Sequence, residues 1–244
     1  MTWVYGGHLV AQALEAACGT VDARLHPHVL HASYIRAARP GEHIFFAVER
    51  VRDGRRFATR RVDASQDATT VMTMTAGFHA REPEGTGGAL AAPHVPAPEQ
   101  LAPGGWNDAI DCRYVSREEP GHVTAWMRLA DPAVPAPMDA ACALAYLADD
   151  LPGDAVLELV GGTAGGWCNQ SLDHSVWLHR VPRPGGWQLH DLRCQGVVDG
   201  RGLVLGNVFD GDGVHLATVA QEVLVRRGRA GAPGTPAGAA ASAR

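Results

Sequence analysis

The sequence predicts an α+β protein that contains one structural unit twice, each copy an α-helix packed on an antiparallel sheet. The main indication is a duplicated motif: Ala38–Arg55 and Pro182–Arg201 each carry Arg-Pro-Gly, a strand-like run and Asp-Gly-Arg. Similar segments precede the two copies, namely His31–Arg36 (HASYIR) and His174–Arg180 (HSVWLHR). The long repeat distance indicates a duplicated domain, because solenoid repeats recur every 20–50 residues or so.

The first copy begins with a predicted helix, His8–Cys18, in which Leu9, Ala13 and Ala17 recur at the spacing of one helix face. Asp53-Gly54 is a strong turn signal between two strand-like runs. Four strands are predicted to follow the helix: Val29–Ile35, Ile44–Val51, Phe57–Ser65 and Thr70–His79.

The second copy begins with a predicted strand pair, Asp111–Ser116 and His122–Leu129. A helix is predicted over Met138–Asp149, and Leu151-Pro152 is expected to end it, since the residue before proline disfavours the helical conformation. Four more strands are expected up to about Arg226. The predicted domains are therefore residues 1–81 and 108–227, with a Pro/Gly/Ala-rich linker at 82–107 and a disordered tail at 228–244.

The composition excludes several classes of protein. All 21 basic residues are arginine, which removes Schiff-base, P-loop and general-base chemistry that depends on lysine and suggests a GC-rich bacterial genome. The net charge of −5 argues against a nucleic-acid partner. No membrane-spanning run and no signal peptide are recognisable, so we expect a cytoplasmic protein. Five widely spaced cysteines predict neither structural disulfides nor a zinc site.

Asp149 is the most informative acidic residue. It ends an apolar helix, where the negative end of the helix dipole disfavours a carboxylate, so a compensating group is expected. Repulsion from Asp150 can raise the pKa of either acid, which would suit the activation of water. The alternative is that both acids simply solvate a helix end, and the pattern alone favours this alternative.

Two further polar residues stand out. Ser171 lies in a polar run, Asn169–Trp177, that enters a strand. Alternation predicts Ser171, Asp173 and Ser175 on one face of that strand, with Leu172, His174 and Val176 on the other. It is either a turn-capping residue or a functional one. Gln221 interrupts an apolar strand and needs hydrogen-bond partners, either as a structural link or to position a water molecule.

Other signals favour structural roles. His26, His28 and His31 lack the carboxylate that would complete a metal site. An arginine cluster around one hairpin can meet phosphates, but a solvated hairpin face is the default interpretation. The cluster comprises Arg50, Arg52, Arg55, Arg56, Arg60 and Arg61. We expect no metal and no cofactor.

Six segments, taken together, resemble the acyl-CoA thioesterase II family, whose members are double-hotdog thioesterases. The order and spacing of the segments carry the resemblance, which covers roughly residues 4–227. They are Val4–Leu14, His31–Gly41, Val48–Gln66, Ala143–Pro152, Ser171–Arg180 and Ala217–Glu222. The resemblance implies a tandem (double) hotdog fold, each half a long helix wrapped by a curved antiparallel β-sheet.

The resemblance also implies a site and a reaction. The catalytic acid, hydroxyl and amide of the family fall on Asp149, Ser171 and Gln221, which would activate a water for hydrolysis of a fatty acyl-CoA thioester. A backbone N–H near Gly6-Gly7 could bind the oxyanion. A homodimer or homotetramer is compatible with such a fold.

Two departures from the family and three rival functions follow. Members usually carry about two dozen further residues before the first helix, including a first strand that residues 1–81 lack; either the true start lies upstream or this half is truncated. His8 replaces a Gln that is common in the family's opening motif. The first rival, a hotdog hydratase, would need a histidine paired with an acid at a helix start. No such pair is recognisable on either predicted helix, although His8 lies at the start of the first. The other rivals are an acyl-carrier-protein thioesterase of a biosynthetic pathway and a non-catalytic acyl-binding protein.

Overall fold

The computed structural model describes residues 3–82, 87–88, 90–116, 119–130 and 139–228, and the predicted disordered tail lies outside them apart from Gly228. Its helices are α1 (Gly6–Cys18), α2 (Ala140–Ala148) and α3 (Pro152–Val160). Its strands are β1 (Leu25–Tyr34), β2 (Phe45–Asp53), β3 (Phe57–Gln66), β4 (Thr69–Ala80), β5 (Ile110–Ser116), β6 (His122–Leu129), β7 (Trp167–Ser171), β8 (Asp173–Leu178), β9 (Gln188–Val198), β10 (Arg201–Asp210) and β11 (His215–Arg227).

One continuous antiparallel sheet joins the two halves of the chain. Its order is β2-β3-β4-β1-β8-β11-β10-β9-β6-β5, with β7 also paired to β11. The halves meet where β1 pairs with β8, through the register Leu30↔Val176 and Ala32↔His174. The two similar segments that precede the copies of the motif, on β1 and β8, therefore lie side by side at the centre of the sheet.

The helices cover the buried face of this sheet. Leu9, Val10 and Leu14 of α1 are 2% exposed or less, and every second residue of β3 from Ala58 to Gln66 is buried. This combination of a 3.6-residue and a two-residue period is what the sequence predicts for a helix packed on a sheet. No helix in the described part of the chain is long and apolar enough to cross a bilayer.

The second half contains a helix that the sequence prediction misses. Met138 lies outside the described residues, and α2 begins after Asp139, whose carboxylate accepts the N–H of Ala141 at 2.8 Å. The helix ends at Ala148, so the predicted end at Asp149 is nearly right. Pro152, expected only to stop a helix, instead begins α3, because proline fits the first helical turn, where its missing N–H is not needed.

A β-bulge overturns the predicted alternation after Ser171. Between the pairs Ala220↔Ser175 and Val223↔Ser171, β11 advances three residues while the opposite chain advances four. The extra residue breaks the two-residue period. Ser171 therefore shares a face with His174, and not with Ser175 as simple alternation predicts.

Arg60 contradicts the expectation of a wholly solvated arginine hairpin. Its side chain is fully buried, and the guanidinium donates to Thr20 Oγ1 at 2.7 Å, Thr20 O at 3.0 Å and Arg52 O at 2.9 Å. It also pairs with Asp53. Arg60 thus links the chain just after α1 to the β2–β3 hairpin.

We expect Arg60→Met to lower the free energy of unfolding by about 2–4 kcal/mol, because it removes the hydrogen bonds of a fully buried guanidinium to Thr20 and Arg52 and its ion pair with Asp53. Arg61→Met is the matched control, since the Arg61 side chain is 53% exposed, and a change below about 0.5 kcal/mol is expected there. Urea unfolding of both variants measures the difference. Equal losses in the two variants would contradict the structural role of Arg60.

Candidate active site

Asp149 lies at the junction of the two halves, directly after α2, and is only 5% exposed. Three side chains donate to its Oδ1: Ser171 Oγ at 3.2 Å, Gln221 Nε2 at 3.0 Å and Tyr34 Oη at 3.2 Å. The three residues singled out in the sequence are therefore in direct contact, and Tyr34 joins them from the first half.

The hydrogen bonds among these groups have a fixed direction. The Gln221 amide nitrogen also donates to Ser171 Oγ at 2.8 Å, so that hydroxyl accepts from Gln221 and donates to Asp149. Gln221 is fully buried, in the row of β11 residues that alternation points toward the core. The buried amide thus meets its need for partners within the site.

The N-terminus of α1 compensates Asp149 for its place at the end of α2. The backbone N–H of Gly7 donates to the carboxylate, and the positive end of the α1 dipole favours negative charge there. A Cβ on Gly6 would lie 2.6 Å from Asp149 Oδ2, so only glycine allows this approach. The compensation expected from the sequence therefore comes from the other half of the molecule.

These opposing effects set the acidity of Asp149. Burial raises its pKa to about 7, against the hydrogen bonds from Ser171, Gln221, Tyr34 and the Gly7 N–H, which favour the charged form. A carboxyl group with a pKa near neutrality can take up and release a proton under physiological conditions. The site can therefore perform general acid–base chemistry.

Asp150 has a separate environment. Its Oδ1 accepts the indole N–H of Trp106 at 2.8 Å, away from Ser171 and Gln221. Burial and the charges of Asp154 and Asp149 raise the pKa of Asp150 to about 8, although the Trp106 hydrogen bond opposes the rise. Both adjacent acids therefore have raised pKa values, for which burial is the first cause, and the charge of Asp149 adds a smaller rise at Asp150 only.

Family sequence models match nearly the whole described chain. The model of the acyl-CoA thioesterase N-terminal domain matches residues 1–79, and that of the acyl-CoA thioesterase C-terminal domain matches residues 88–225. The chain belongs to the acyl-CoA thioesterase family.

Individual relatives agree with this assignment. An acyl-CoA thioesterase II from Mycobacterium marinum has a similar structure, with a TM-score of 0.80 and 34% identity over 92% of this chain and 90% of that one. Acyl-CoA thioesterase 2 of Haemophilus influenzae is 28% identical, over 91% of this chain and 87% of its own length. Human acyl-coenzyme A thioesterase 8 is 27% identical, over 91% and 80%. The predicted family, tandem hotdog fold and thioester hydrolase class are confirmed.

Tyr34 is the contact to Asp149 that reasoning from sequence misses. In the sequence it is visible only as the tyrosine of the HASYIR segment. That tyrosine ends a strand in the first half, which carries none of the other three side chains. Burial and the charge of Asp149 hold the pKa of Tyr34 well above its usual value, so this thioesterase keeps the hydroxyl protonated as a donor.

The remaining candidates lie away from this contact network. His8 packs edge-on against Tyr146, and burial lowers the pKa of His8. His28 packs against Phe57 and His79, and His31 Nδ1 forms a hydrogen bond with Ser175 Oγ at 3.0 Å. In the described part of the thioesterase, no group of three His, Cys, Asp or Glu residues could hold a metal ion.

We expect Asp150→Asn to stabilise the thioesterase in a pH-dependent way. The pKa of Asp150 is about 8 in the folded protein against an ordinary value of 3.8, so its ionisation destabilises the fold as pH rises through that window. The asparagine variant should differ least from the wild type at about pH 4, close to the unfolded-state pKa, and melt several degrees higher at about pH 8. Melting curves at both values measure this, and a variant less stable at the higher pH would contradict it.

Proposed function

We propose that this thioesterase hydrolyses fatty acyl-CoA thioesters to the free acid and CoA, using one water molecule held by Asp149, Ser171 and Gln221. The observation that carries the proposal is the convergence of a serine hydroxyl and a glutamine amide on a buried carboxylate whose pKa is raised to about 7. A carboxylate with that pKa is basic enough to accept a proton from water and is still ionised in a large fraction of molecules near neutral pH.

In the proposed reaction, Asp149 accepts a proton from the water as its oxygen attacks the thioester carbonyl carbon. Ser171 and Gln221 fix the direction of attack, and such positioning carries much of the rate gain, because small displacements are costly. The tetrahedral intermediate then expels CoA as a thiolate, which takes the proton back from Asp149 and so returns the carboxylate to its ionised form. The acyl carbon keeps the oxygen of the water, and no covalent enzyme intermediate forms.

The N-terminus of α1 is the proposed source of oxyanion stabilisation. In the free protein the Gly7 N–H donates to Asp149. Once Asp149 has taken the proton of the water, the neutral carboxyl group is a weaker acceptor, and the N–H can serve the developing negative charge on the thioester oxygen. Fixed backbone donors of this kind stabilise an oxyanion without reorganisation of solvent.

The proposal predicts that Asp149→Asn lowers kcat by about 100-fold or more, as loss of a general base does. Release of free thiol from short, medium and long acyl-CoAs measures it, with circular dichroism to establish folding. Asp150→Asn is the matched control, because this neighbouring acid touches neither Ser171 nor Gln221, and its activity should stay within about threefold of the wild type.

Two results would contradict the proposal. Full turnover by folded Asp149→Asn would mean that Asp149 is not the general base, although the thioesterase activity itself would stand. Turnover of acyl-carrier-protein thioesters by the wild type, with none of any acyl-CoA, would replace the proposed substrate.

Tyr34→Phe should shift the pH dependence of kcat upward. Loss of one hydrogen bond to the ionised carboxylate raises the pKa of Asp149 above about 7, so the active, ionised form needs a higher pH. We expect several-fold lower activity at about pH 6 and near wild-type activity at about pH 9. A uniform loss at every pH would instead mean that Tyr34 does not act through the protonation of Asp149.

A further inference from the structure

The amide of Gln221 has a second partner that the reaction above does not use. Its Oε1 lies 2.6 Å from Nδ1 of His174, on the side of the amide away from Asp149. His174 is fully buried on β8, and Ala32 of β1 in the other half lies opposite it in the sheet. The contact therefore extends the hydrogen-bond network from Asp149 through Gln221 into the centre of the sheet.

A glutamine amide needs such an anchor because its two ends have nearly the same shape and opposite hydrogen-bonding character. With its nitrogen toward Asp149, Gln221 donates to the carboxylate at 3.0 Å and to Ser171 at 2.8 Å. Rotated by half a turn, the same amide would place its oxygen against a carboxylate, and both donations would be lost. Asp149 and Ser171 favour the first orientation, and a donor at the far end of the amide would favour it independently.

His174 can be that donor in one tautomer only. Burial lowers its pKa to about 4, so the ring is neutral and carries a single N–H. Among the described residues Nε2 of His174 has no hydrogen-bond partner, so the proton is placed on Nδ1, which faces the Gln221 oxygen. The neighbouring buried His190 is also neutral, because burial lowers its pKa to about 3.

The backbone holds the ring in place. The β-bulge between Ser171 and Ser175 puts Ser171 and His174 on the same face of the chain, so that both reach the side chain of Gln221. Beside the bulge, Leu172 donates its N–H to Glu222 O and accepts the N–H of Tyr34, which ties the segment to both neighbouring strands. Movement of His174 relative to Gln221 is therefore restricted.

We propose that His174 is a positioning residue of the thioesterase: its Nδ1–H holds the Gln221 amide in the one orientation that donates to Asp149 and Ser171. The inference rests on the proposed function, since it assigns His174 an effect on the same water-activating group. His174 touches neither the water nor the substrate in this scheme, and it acts only through Gln221.

Two substitutions separate the hydrogen bond from the packing. His174→Leu removes the donor and keeps an apolar side chain of comparable bulk, so kcat should fall about 10-fold or more with KM changed less than about threefold. His174→Asn places an amide N–H near the position of Nδ1 and should restore kcat to within about threefold of the wild type. A folded His174→Leu enzyme with wild-type kcat would overturn the proposal.

The pH profile supplies a readout that packing alone would not change. In His174→Leu the Gln221 amide donates to Asp149 for less of the time, so the pKa of Asp149 rises and the acid limb of kcat moves to higher pH. The limb should stay at its wild-type position in His174→Asn. A loss of kcat without movement of the limb would mean that His174 only supports the core.

A double-mutant cycle with Gln221→Met tests whether His174 acts through Gln221. If it does, His174→Leu adds less than about twofold to the loss already caused by Gln221→Met, because the two groups form one unit. If the kcat of the double variant falls by the product of the two single losses, the proposal is overturned.

A measurement without substrate keeps this inference separable from the proposed function. In 15N-histidine NMR at neutral pH, His174, assigned by the signal missing in His174→Asn, should be protonated at Nδ1. Protonation at Nε2 would overturn the inference whatever the activity. Absence of acyl-CoA turnover in a wild type that has the Nδ1–H tautomer would instead count against the proposed function alone.

Discussion

The structure depends on one buried carboxylate that neither half of the molecule could hold by itself. Asp149 loses most of its hydration at the end of α2, where the helix dipole also opposes its charge. Hydrogen bonds from Ser171, Gln221 and Tyr34 and from the N-terminus of α1 offset that loss only in part. The remaining imbalance leaves the pKa of Asp149 near neutrality, which is the property that the proposed chemistry requires.

The two-part architecture allows such a carboxylate to be surrounded from both sides. The two copies of the unit pair through β1 and β8 into one sheet, which brings the N-terminus of α1 against the C-terminus of α2. The two copies contribute different groups. The second contributes the acid, hydroxyl and amide, whereas the first contributes Tyr34, the Gly7 N–H and a glycine at position 6 small enough to admit the carboxylate.

Residue patterns predict the periodic parts of this molecule well. The helix from His8 to Cys18 and the first four strands follow from hydrophobic spacing and turn signals, and the structure places them within a few residues. α3 escapes prediction because Pro152 fits both the end of one helix and the start of the next. Alternation fails after Ser171 because one inserted residue reverses the faces of a strand without any mark in the composition.

The candidate site is likewise predicted only in part from the sequence. Asp149, Ser171 and Gln221 are weak signals one by one, and the family resemblance groups them, but no spacing in the sequence reveals that Tyr34 and Gly7 reach the same carboxylate. These contacts depend on how the two halves dock, which is a long-range property of the fold. The buried environment that sets the pKa of Asp149 arises from the same docking.

The most direct test of the central claim is a 13C NMR titration of the Asp149 carboxyl group, assigned by its absence in Asp149→Asn and compared with the pH dependence of kcat/KM. The account predicts that the carboxyl group titrates at about pH 7 and that the acid limb of the activity has the same midpoint. A carboxyl group that titrates near its ordinary pKa of 3.8, while activity changes near neutral pH, would contradict the account.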